Sequence, residues 1–188
     1  MTDACSDEIL RRYREFTGLV DGLCADLSDR YRDRMACRLG CSECCTAITV
    51  QPIEAAAIAD WTAASGQPIE PARADGQESC AFLRGGACAV YAARPLICRT
   101  HGLPLLYLIE EYELDGRPAA AESPEWRIAW CELNFTGVDD DELERLFEPG
   151  TVLNMEELNR RLAGLNAEFL ATPRGAAWKS GARVELGR

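Results

Sequence analysis

The sequence predicts an α+β fold that is mainly helical, and three observations lead to this class. Apolar residues recur at helical spacing near both ends of the chain. The middle of the chain holds short apolar stretches broken by glycine and proline, which is typical of short strands and turns. Eight of the ten cysteines lie in this middle part. We therefore expect a cysteine-rich core with short strands, flanked by a long N-terminal helix and by C-terminal helices.

The first predicted element is one long helix over residues 6–36. Its apolar residues are three or four positions apart and form a single stripe, namely Ile9, Tyr13, Phe16, Val20, Leu23, Leu27 and Tyr31. Acidic side chains follow Ser6, where the helix dipole favours negative charge, and Gly40 is suited to end the helix. The first cysteines would then lie in its last turn, with Cys37 and Cys41 on one side.

Short elements are predicted for the central region. Residues 46–50 are expected to form a strand, and Pro52 suits the first turn of a second helix. The polar, proline-containing stretch 66–79 is predicted to be a loop. Two short apolar arms around paired glycines predict a hairpin over residues 80–91.

Two strands and two helices are predicted for the remainder. The strands cover residues 105–120, ending in an Asp-Gly turn, and 126–135. Acidic residues at the start of 139–147 favour a short helix there. Asn154 and Glu157 have the spacing of a capping box at the start of the last helix. One face of that helix is apolar, with Leu158, Leu162, Leu165 and Phe169.

These elements predict a single domain over residues 1–171. It would comprise the N-terminal helix at 6–36, a metal-centred cysteine core at 37–135 and C-terminal helices at 139–171. Residues 172–188 are basic and contain several glycines, so we expect a flexible tail there.

Composition narrows the classes of function. With 188 residues, 47% of them hydrophobic, the chain can bury a core without disulfide bonds. A formal net charge of −11 opposes binding to a phosphate backbone, so no nucleic acid partner is expected. The sequence contains no run of 18 apolar residues, so no membrane span is predicted, and the N-terminus does not resemble a signal peptide. We therefore expect a cytoplasmic protein.

In a reducing compartment, clustered cysteines indicate metal binding or redox chemistry more than disulfides. Cys5 is isolated, and Cys24 lies on the apolar stripe of the first helix, where a small buried side chain is expected. The remaining eight are the predicted metal ligands: Cys37, Cys41, Cys44, Cys45, Cys80, Cys88, Cys98 and Cys131. No catalytic residue is predicted.

Spacing within this set carries further information. Cys41 and Cys44 form a Cys-x-x-Cys knuckle, which offers two sulfurs to one metal. Cys44 and Cys45 are adjacent, so in extended backbone they point in opposite directions and could serve different sites. Further along, Cys80 and Cys88 are separated by seven residues, and Cys98 is the cysteine of the run Tyr-x-x-Arg-Pro-x-x-Cys-Arg.

With the Cys-x3-Cys-x2-Cys-Cys run upstream, this pattern resembles the bacterial CxxCxxCC (YkgJ-type) cysteine-cluster family. The resemblance covers about residues 37–101 and extends toward Cys131; the first spacing, between Cys37 and Cys41, is one residue longer than in the family. The resemblance implies zinc or iron chelation. Related modules accompany flagellin lysine methylases, but the resemblance supplies no settled substrate or partner. A partner protein or enzyme is a further expectation.

An iron–sulfur cluster, of the 4Fe-4S type, is favoured over zinc. Several ligands are bunched in one short loop and the others are remote, whereas a zinc ribbon usually offers two Cys-x-x-Cys knuckles. The sequence leaves open whether there are one or two sites and which four cysteines share one. His101 could ligate or lie on the surface, and Arg38, Arg94 and Arg99 could offset thiolate charge or be solvated.

The predicted role is electron transfer, sensing or assistance to a partner, and a non-enzymatic role is favoured. A structural zinc protein and a thiol redox protein using Cys41 and Cys44 remain alternatives. The βαβ context of thioredoxin-like motifs is missing, and so is a phosphate-binding glycine loop. The oligomeric state is left open.

Overall fold

The structure is a computed structural model that describes residues 3–38, 40–66, 79–109, 125–148, 150–178 and 183–186. Within these ranges the helices are α1 (Ala4–Arg30), α2 (Pro52–Ala64), α3 (Leu96–Thr100), α4 (Asp140–Leu146), α5 (Met155–Leu170) and α6 (Pro173–Ala176). The strands are β1 (Thr49–Val50), β2 (Leu83–Arg84), β3 (Ala87–Cys88), β4 (Leu105–Ile109), β5 (Glu125–Ala129), β6 (Leu153–Asn154) and β7 (Val184–Glu185).

The mainly helical α+β class is confirmed. α1 packs against α2, α3, α5 and α6, and α5 also packs against β4. The strands form a three-stranded sheet in the order β5-β4-β6 and two small pairs, β1-β7 and β2-β3. In the larger sheet, β4 is antiparallel to β5 and parallel to β6. Among the described helices, none has the length and apolarity needed to cross a bilayer.

The main core lies between α1, α5 and the sheet. The apolar stripe predicted for the first helix is largely buried, and Phe16 and Val20 are each 1% exposed. Leu23 is the exception at 49% exposure, because it lies at the edge of this face. The predicted face of α5 also packs inward, with Phe169 fully buried, and Asn154 caps the helix by accepting a hydrogen bond from the Glu157 N–H at 3.2 Å.

The first helix is shorter than predicted, and this corrects the placement of the first cysteines. α1 ends at Arg30 rather than at residue 36, and a short 3₁₀ turn, Arg32–Arg34, follows. The Tyr31 hydroxyl lies 3.0 Å from the carbonyl oxygens of Leu146 and Thr151, which anchors the end of the helix against the C-terminal half. The cysteines therefore lie in a loop, and a shared helical side for Cys37 and Cys41 was wrong.

The backbone beyond this point finds its hydrogen bonds in another segment. The Arg34 carbonyl accepts from the Phe135 N–H at 2.7 Å, and the Ala36 N–H donates to Asn134 Oδ1 at 2.7 Å. If the helix continued, the Arg34 carbonyl and the Ala36 N–H would form hydrogen bonds within the helix instead. The Phe135 N–H and Asn134 Oδ1 would then lose their hydrogen-bond partners.

α2 begins at Pro52 as predicted, and its first turn holds α3 in place. The Glu54 side chain, 3% exposed, accepts hydrogen bonds from the Gln51 N–H at 2.8 Å and the Leu96 N–H at 2.9 Å. Burial raises the pKa of Glu54, whereas these two N–H groups act in the opposite direction. The carboxylate thus joins the starts of two helices, one of which carries Cys98.

The predicted short strands are found, with some differences in length. The paired glycines form the turn between β2 and β3, as expected for the hairpin. The strand predicted over 126–135 ends at Ala129, because the chain turns at residues 130–138 to contact the end of α1. The predicted loop over 66–79 and the Asp-Gly turn near residue 115 lie mostly or wholly outside the described residues.

The prediction of a flexible tail from residue 172 is corrected over its described part. Residues 173–176 form α6, capped by Thr172, which accepts from the Gly175 N–H at 3.0 Å. β7 pairs with β1, placing Val184 opposite Val50. The prediction of a tail depended on local composition alone, whereas β7 is held by pairing with β1, which is distant in sequence.

We predict that Gly175→Ala destabilises the protein strongly. A Cβ at this position would lie 1.8 Å from the Phe169 carbonyl oxygen, so the turn between α5 and α6 would have to move. We expect a loss of about 1–3 kcal/mol in the free energy of unfolding, measured by chemical denaturation. Gly164→Ala, in open space on α5, is the control and should be neutral or stabilising. Equal effects would contradict this account of the turn.

Candidate metal centre

The eight predicted ligands lie on three parts of the fold. Cys37, Cys41, Cys44 and Cys45 occupy the loop after α1; Cys80, Cys88 and Cys98 lie in and around the β2-β3 hairpin and on α3; Cys131 follows β5. All ten cysteines of the chain are free thiols. The arrangement therefore provides unpaired sulfur donors from segments that are distant in sequence.

A series of tight turns shapes the cysteine loop. The Cys41 N–H donates to the Arg38 carbonyl at 3.0 Å, and the Cys45 N–H donates to the Ser42 carbonyl at 2.9 Å. The Thr46 N–H then donates to the Cys44 carbonyl at 3.0 Å. Because the direction of the chain changes at each turn, adjacent cysteines face different surroundings.

The environments of Cys44 and Cys45 differ as the adjacency suggested. For both, burial is the main cause of a raised pKa. The neighbouring thiols that add to the shift in Cys44 are those of Cys37 and Cys41. For Cys45, whose pKa is raised to about 11, they are those of Cys44, Cys80 and Cys88, in that order. We call Cys37, Cys41 and Cys44 the loop thiols.

The hairpin is joined directly to Cys45. The Cys80 N–H donates to the Cys45 carbonyl at 2.8 Å, and the adjacent residues Thr46 and Ser79 form an isolated antiparallel bridge. Gly86, at the tip of the hairpin, lies close to Gly40, where an added Cβ would be 3.8 Å from the Gly40 backbone. The fold thus brings together two cysteine groups that the sequence separates by 34 residues.

A small apolar cluster supports this side of the site. Ile58, Phe82 and Val90 are buried together, and Cys80 and Cys88 pack against them. Cys88 pairs with Leu83 in the hairpin. Burial, followed by the charge of Cys80, raises the pKa of Cys88. These thiols are therefore partly withdrawn from water.

Cys98 approaches the same group from α3. Part of the residue reaches solvent, but burial of its thiol, together with the thiols of Cys80, Cys88, Cys44 and Cys45, raises its pKa to about 12. We call Cys45, Cys80, Cys88 and Cys98 the hairpin thiols. With pKa values of about 11 and about 12, the thiols of Cys45 and Cys98 are protonated at neutral pH in the absence of metal, so their ligation would release protons.

Two arginines beside the hairpin thiols are fixed by an acidic residue of α1. Asp21 accepts from Arg94 at 2.9 Å and from Arg99, whose side chain is 4% exposed. Arg99 also donates to the Ala92 carbonyl at 3.0 Å. Among the buried side-chain polar atoms of the described residues, Arg99 Nε and the Tyr13 hydroxyl have no hydrogen-bond partner. Arg99 is thus a buried, paired charge that faces α1, whereas Arg94 is the arginine whose charge acts on a hairpin thiol, lowering the pKa of Cys88 against the effect of burial.

The remaining candidates are placed less favourably. Cys131 is half-buried, and its carbonyl accepts from the Asn134 N–H at 2.8 Å. His101 and Arg38 are exposed. Cys5 is exposed at the start of α1, whereas Cys24 is buried in the main core, where burial raises its pKa to about 11. The expectation that Cys24 packs as a small apolar residue agrees with this position.

The thiols are near one another without being in ligand positions. Among the described residues, no group of three or more Cys, His, Asp or Glu side chains is arranged to hold a metal ion as it stands. The donor chemistry nevertheless suits a thiophilic metal, because soft thiolates are the ligands that zinc and iron–sulfur clusters prefer. Local closure of the loop and hairpin would accompany ligation.

Sequence reasoning missed three residues at this site. Asp21 pairs with Arg94 and Arg99, whereas Gly102 and Asn134 both contact Cys37. None of these three residues belongs to a cysteine motif. The hydrogen bonds of Asp21 and Asn134 join partners that are separated by 73 to 97 positions in the sequence. The contact of Gly102 with Cys37 depends on the close approach of two separate segments. No local pattern could have identified them.

One comparison with known proteins bears on this geometry. Residues 36–132 match the model of the CxxCxxCC family, which is described as a "putative zinc- or iron-chelating domain". The matched segment begins just before Cys37, ends just after Cys131, and contains all eight predicted ligands. Searches among curated proteins and among solved structures found no match.

Proposed function

Because the chain belongs to the CxxCxxCC family of zinc- or iron-chelating domains, we propose that it holds an iron–sulfur cluster through cysteine thiolates. The observation that carries this proposal is the convergence of Cys45, Cys80, Cys88 and Cys98 from a loop, a hairpin and a helix. Four thiolates are the usual complement of a [4Fe–4S] cluster.

The surroundings of the hairpin thiols suit such a group. A cluster with four thiolate ligands is negatively charged, and Arg94, whose guanidinium donates to Asp21 at 2.9 Å, supplies an opposite charge that acts on Cys88. The apolar cluster around Phe82 limits access of water from the other side.

The loop thiols form a second group of donors. Cys44 interacts with both Cys37 and Cys41, and the turn containing Cys131 lies against Cys37 through Asn134. We propose that these four cysteines complete a second thiolate site or exchange with the hairpin thiols during assembly. In either case all eight cysteines of the matched segment act as metal ligands.

A bound iron–sulfur cluster supplies one-electron transfer at a potential set by hydrogen bonds to sulfur, by net charge and by solvent exposure. The residues of this chain would orient the ligands, exclude water on the hairpin side and offset negative charge through Arg94. We propose a role in electron transfer, sensing or assistance to a partner protein, in the cytoplasm, where thiols remain reduced.

Purification without oxygen tests the choice of metal. We expect a brown protein with broad absorption at about 400 nm, and iron matched by an equal amount of acid-labile sulfide. The same preparation handled in air is the control and should bleach as the cluster decays. A colourless protein with stoichiometric zinc would overturn the cluster and support a structural zinc site instead. Protein that binds neither iron nor zinc would contradict metal binding altogether.

A further inference from the structure

Asn134 is a fully enclosed polar residue beside the loop thiols. It is 1% exposed, and it lies two positions beyond the segment that matches the family. Neither the cysteine motifs nor the family match assigns it a role. Its side chain nevertheless contacts a predicted metal ligand, because Asn134 Nδ2 lies 3.3 Å from Cys37 Sγ.

The hydrogen bonds of its amide fix which atom faces the sulfur. Oδ1 accepts from the Ala36 N–H at 2.7 Å, and Nδ2 donates to the Gly102 carbonyl at 2.6 Å as well as to Cys37 Sγ. Exchanging oxygen and nitrogen would place a donor against the Ala36 N–H and an acceptor against the Gly102 carbonyl. The amide therefore presents an N–H group to the thiol.

The turn that carries Asn134 is held rigidly. Its next residue, Phe135, has a φ of 56°, a conformation that costs free energy in a residue other than glycine. Packing stabilises it: the Phe135 ring lies 5.2 Å from the rings of Tyr31 and Phe147, centroid to centroid. The Phe135 N–H also donates to the Arg34 carbonyl. Asn134 is thus positioned by the main core.

Gly102 completes the pocket around the sulfur. A Cβ at this position would lie 2.8 Å from Cys37 Sγ, and the residue has a φ of +98°. Glycine therefore permits both the backbone conformation and the close approach of the sulfur. Cys37 is enclosed between the backbone of residue 102 and the amide of Asn134, although the residue as a whole is exposed on its outer side.

We propose that Asn134 is the positioning residue of Cys37, whose sulfur it holds as a metal ligand by donating an N–H···S hydrogen bond. This rests on the proposed metal-binding function. A hydrogen bond to a thiolate stabilises its charge and fixes its orientation, and partners of this kind strongly affect metal affinity. The backbone contacts to Ala36 and Gly102 set the direction of the donor.

The test compares Asn134→Asp with Asn166→Asp. The first substitution keeps the shape and the acceptor for Ala36 but replaces the donor with a carboxylate oxygen. Asn166 is also buried, and it accepts from the Ile53 N–H at 3.1 Å in a different part of the core. With the as-purified protein, we expect Asn134→Asp to speed metal loss to a chelator roughly 10–100-fold and Asn166→Asp to leave the rate nearly unchanged. Equal rates in the two variants would overturn the proposal.

A double variant separates positioning of the ligand from general support of the fold. In a Cys37→Ala background the sulfur is absent and only the bond to the Gly102 carbonyl is lost, so Asn134→Asp should speed metal loss much less than it does in the wild-type background. Effects that multiply would show that Asn134 acts elsewhere and would overturn the proposal. Gly102→Ala should speed metal loss as Asn134→Asp does, whereas Gly150→Ala, with a similar φ of +88° and open space, should not.

A measurement on metal-free protein keeps this inference distinct from the proposed function. In ¹⁵N-labelled apo protein, Cys37→Ala should shift the side-chain amide resonances of Asn134 and leave those of Asn166 in place. Unchanged Asn134 resonances would overturn the N–H···S contact, whatever the metal. A shift in a protein that binds no metal would support the contact while the proposed function fails.

Discussion

Cys98→Ser is expected to abolish metal binding by the hairpin thiols. A serine hydroxyl is a harder and poorer donor than a thiolate, and Cys98 is the one member of this group supplied by α3. The helix that carries it is fixed by the Glu54–Leu96 hydrogen bond and by the Arg99–Asp21 ion pair, so its sulfur is held in a defined position. Metal and sulfide content of anaerobically purified variants measure the effect.

Two cysteines outside the site provide matched controls. Cys5→Ser lies at the exposed start of α1 and should leave both metal content and stability unchanged. Cys24→Ser places a hydroxyl in the main core, so it should lower the free energy of unfolding by roughly 1–3 kcal/mol while metal content stays at the wild-type level. If Cys24→Ser removed as much metal as Cys98→Ser, the assignment of Cys24 to the core would be wrong.

Removing the metal is expected to loosen residues 37–101 while much of the helical core stays folded. β1, β2 and β3 have two residues each, and so small a set of strands is marginally stable without further support. Among the residues that the structure describes, the apolar cluster beneath the hairpin has three buried members, Ile58, Phe82 and Val90. Ligation would tie the loop after α1 to the hairpin and α3, so metal binding energy would appear as folding energy there.

Hydrogen exchange of the metal-bound and metal-free protein measures this coupling. We expect amides of the cysteine loop and hairpin to lose protection in the metal-free form, whereas those in the middle of α1 and α5 keep theirs. The two helices serve as an internal control because their buried faces pack in the main core, away from the hairpin. Equal protection of the hairpin in both forms would mean that its fold does not depend on metal.

The sequence alone determined the features that depend on local patterns. The apolar stripe of α1, the start of α2 at Pro52, the glycine turn of the hairpin and the Asn154 cap of α5 were all predicted correctly. Each depends on residues within a few positions of one another, where periodicity and capping operate. The number and spacing of the cysteines likewise indicated the family that residues 36–132 then matched.

Only the tertiary structure decided where α1 ends and what surrounds each thiol. The apolar period continues to Tyr31, but residues 134 and 135 supply the hydrogen bonds of the backbone after it, and this competition is absent from any local window. The same holds for Asn134 beside Cys37, for Cys80 beside Cys45, for Asp21 beside Arg99 and for β7 beside β1. Such partners lie tens of residues apart, so the path of the folded chain, rather than the residue types themselves, brings them into contact.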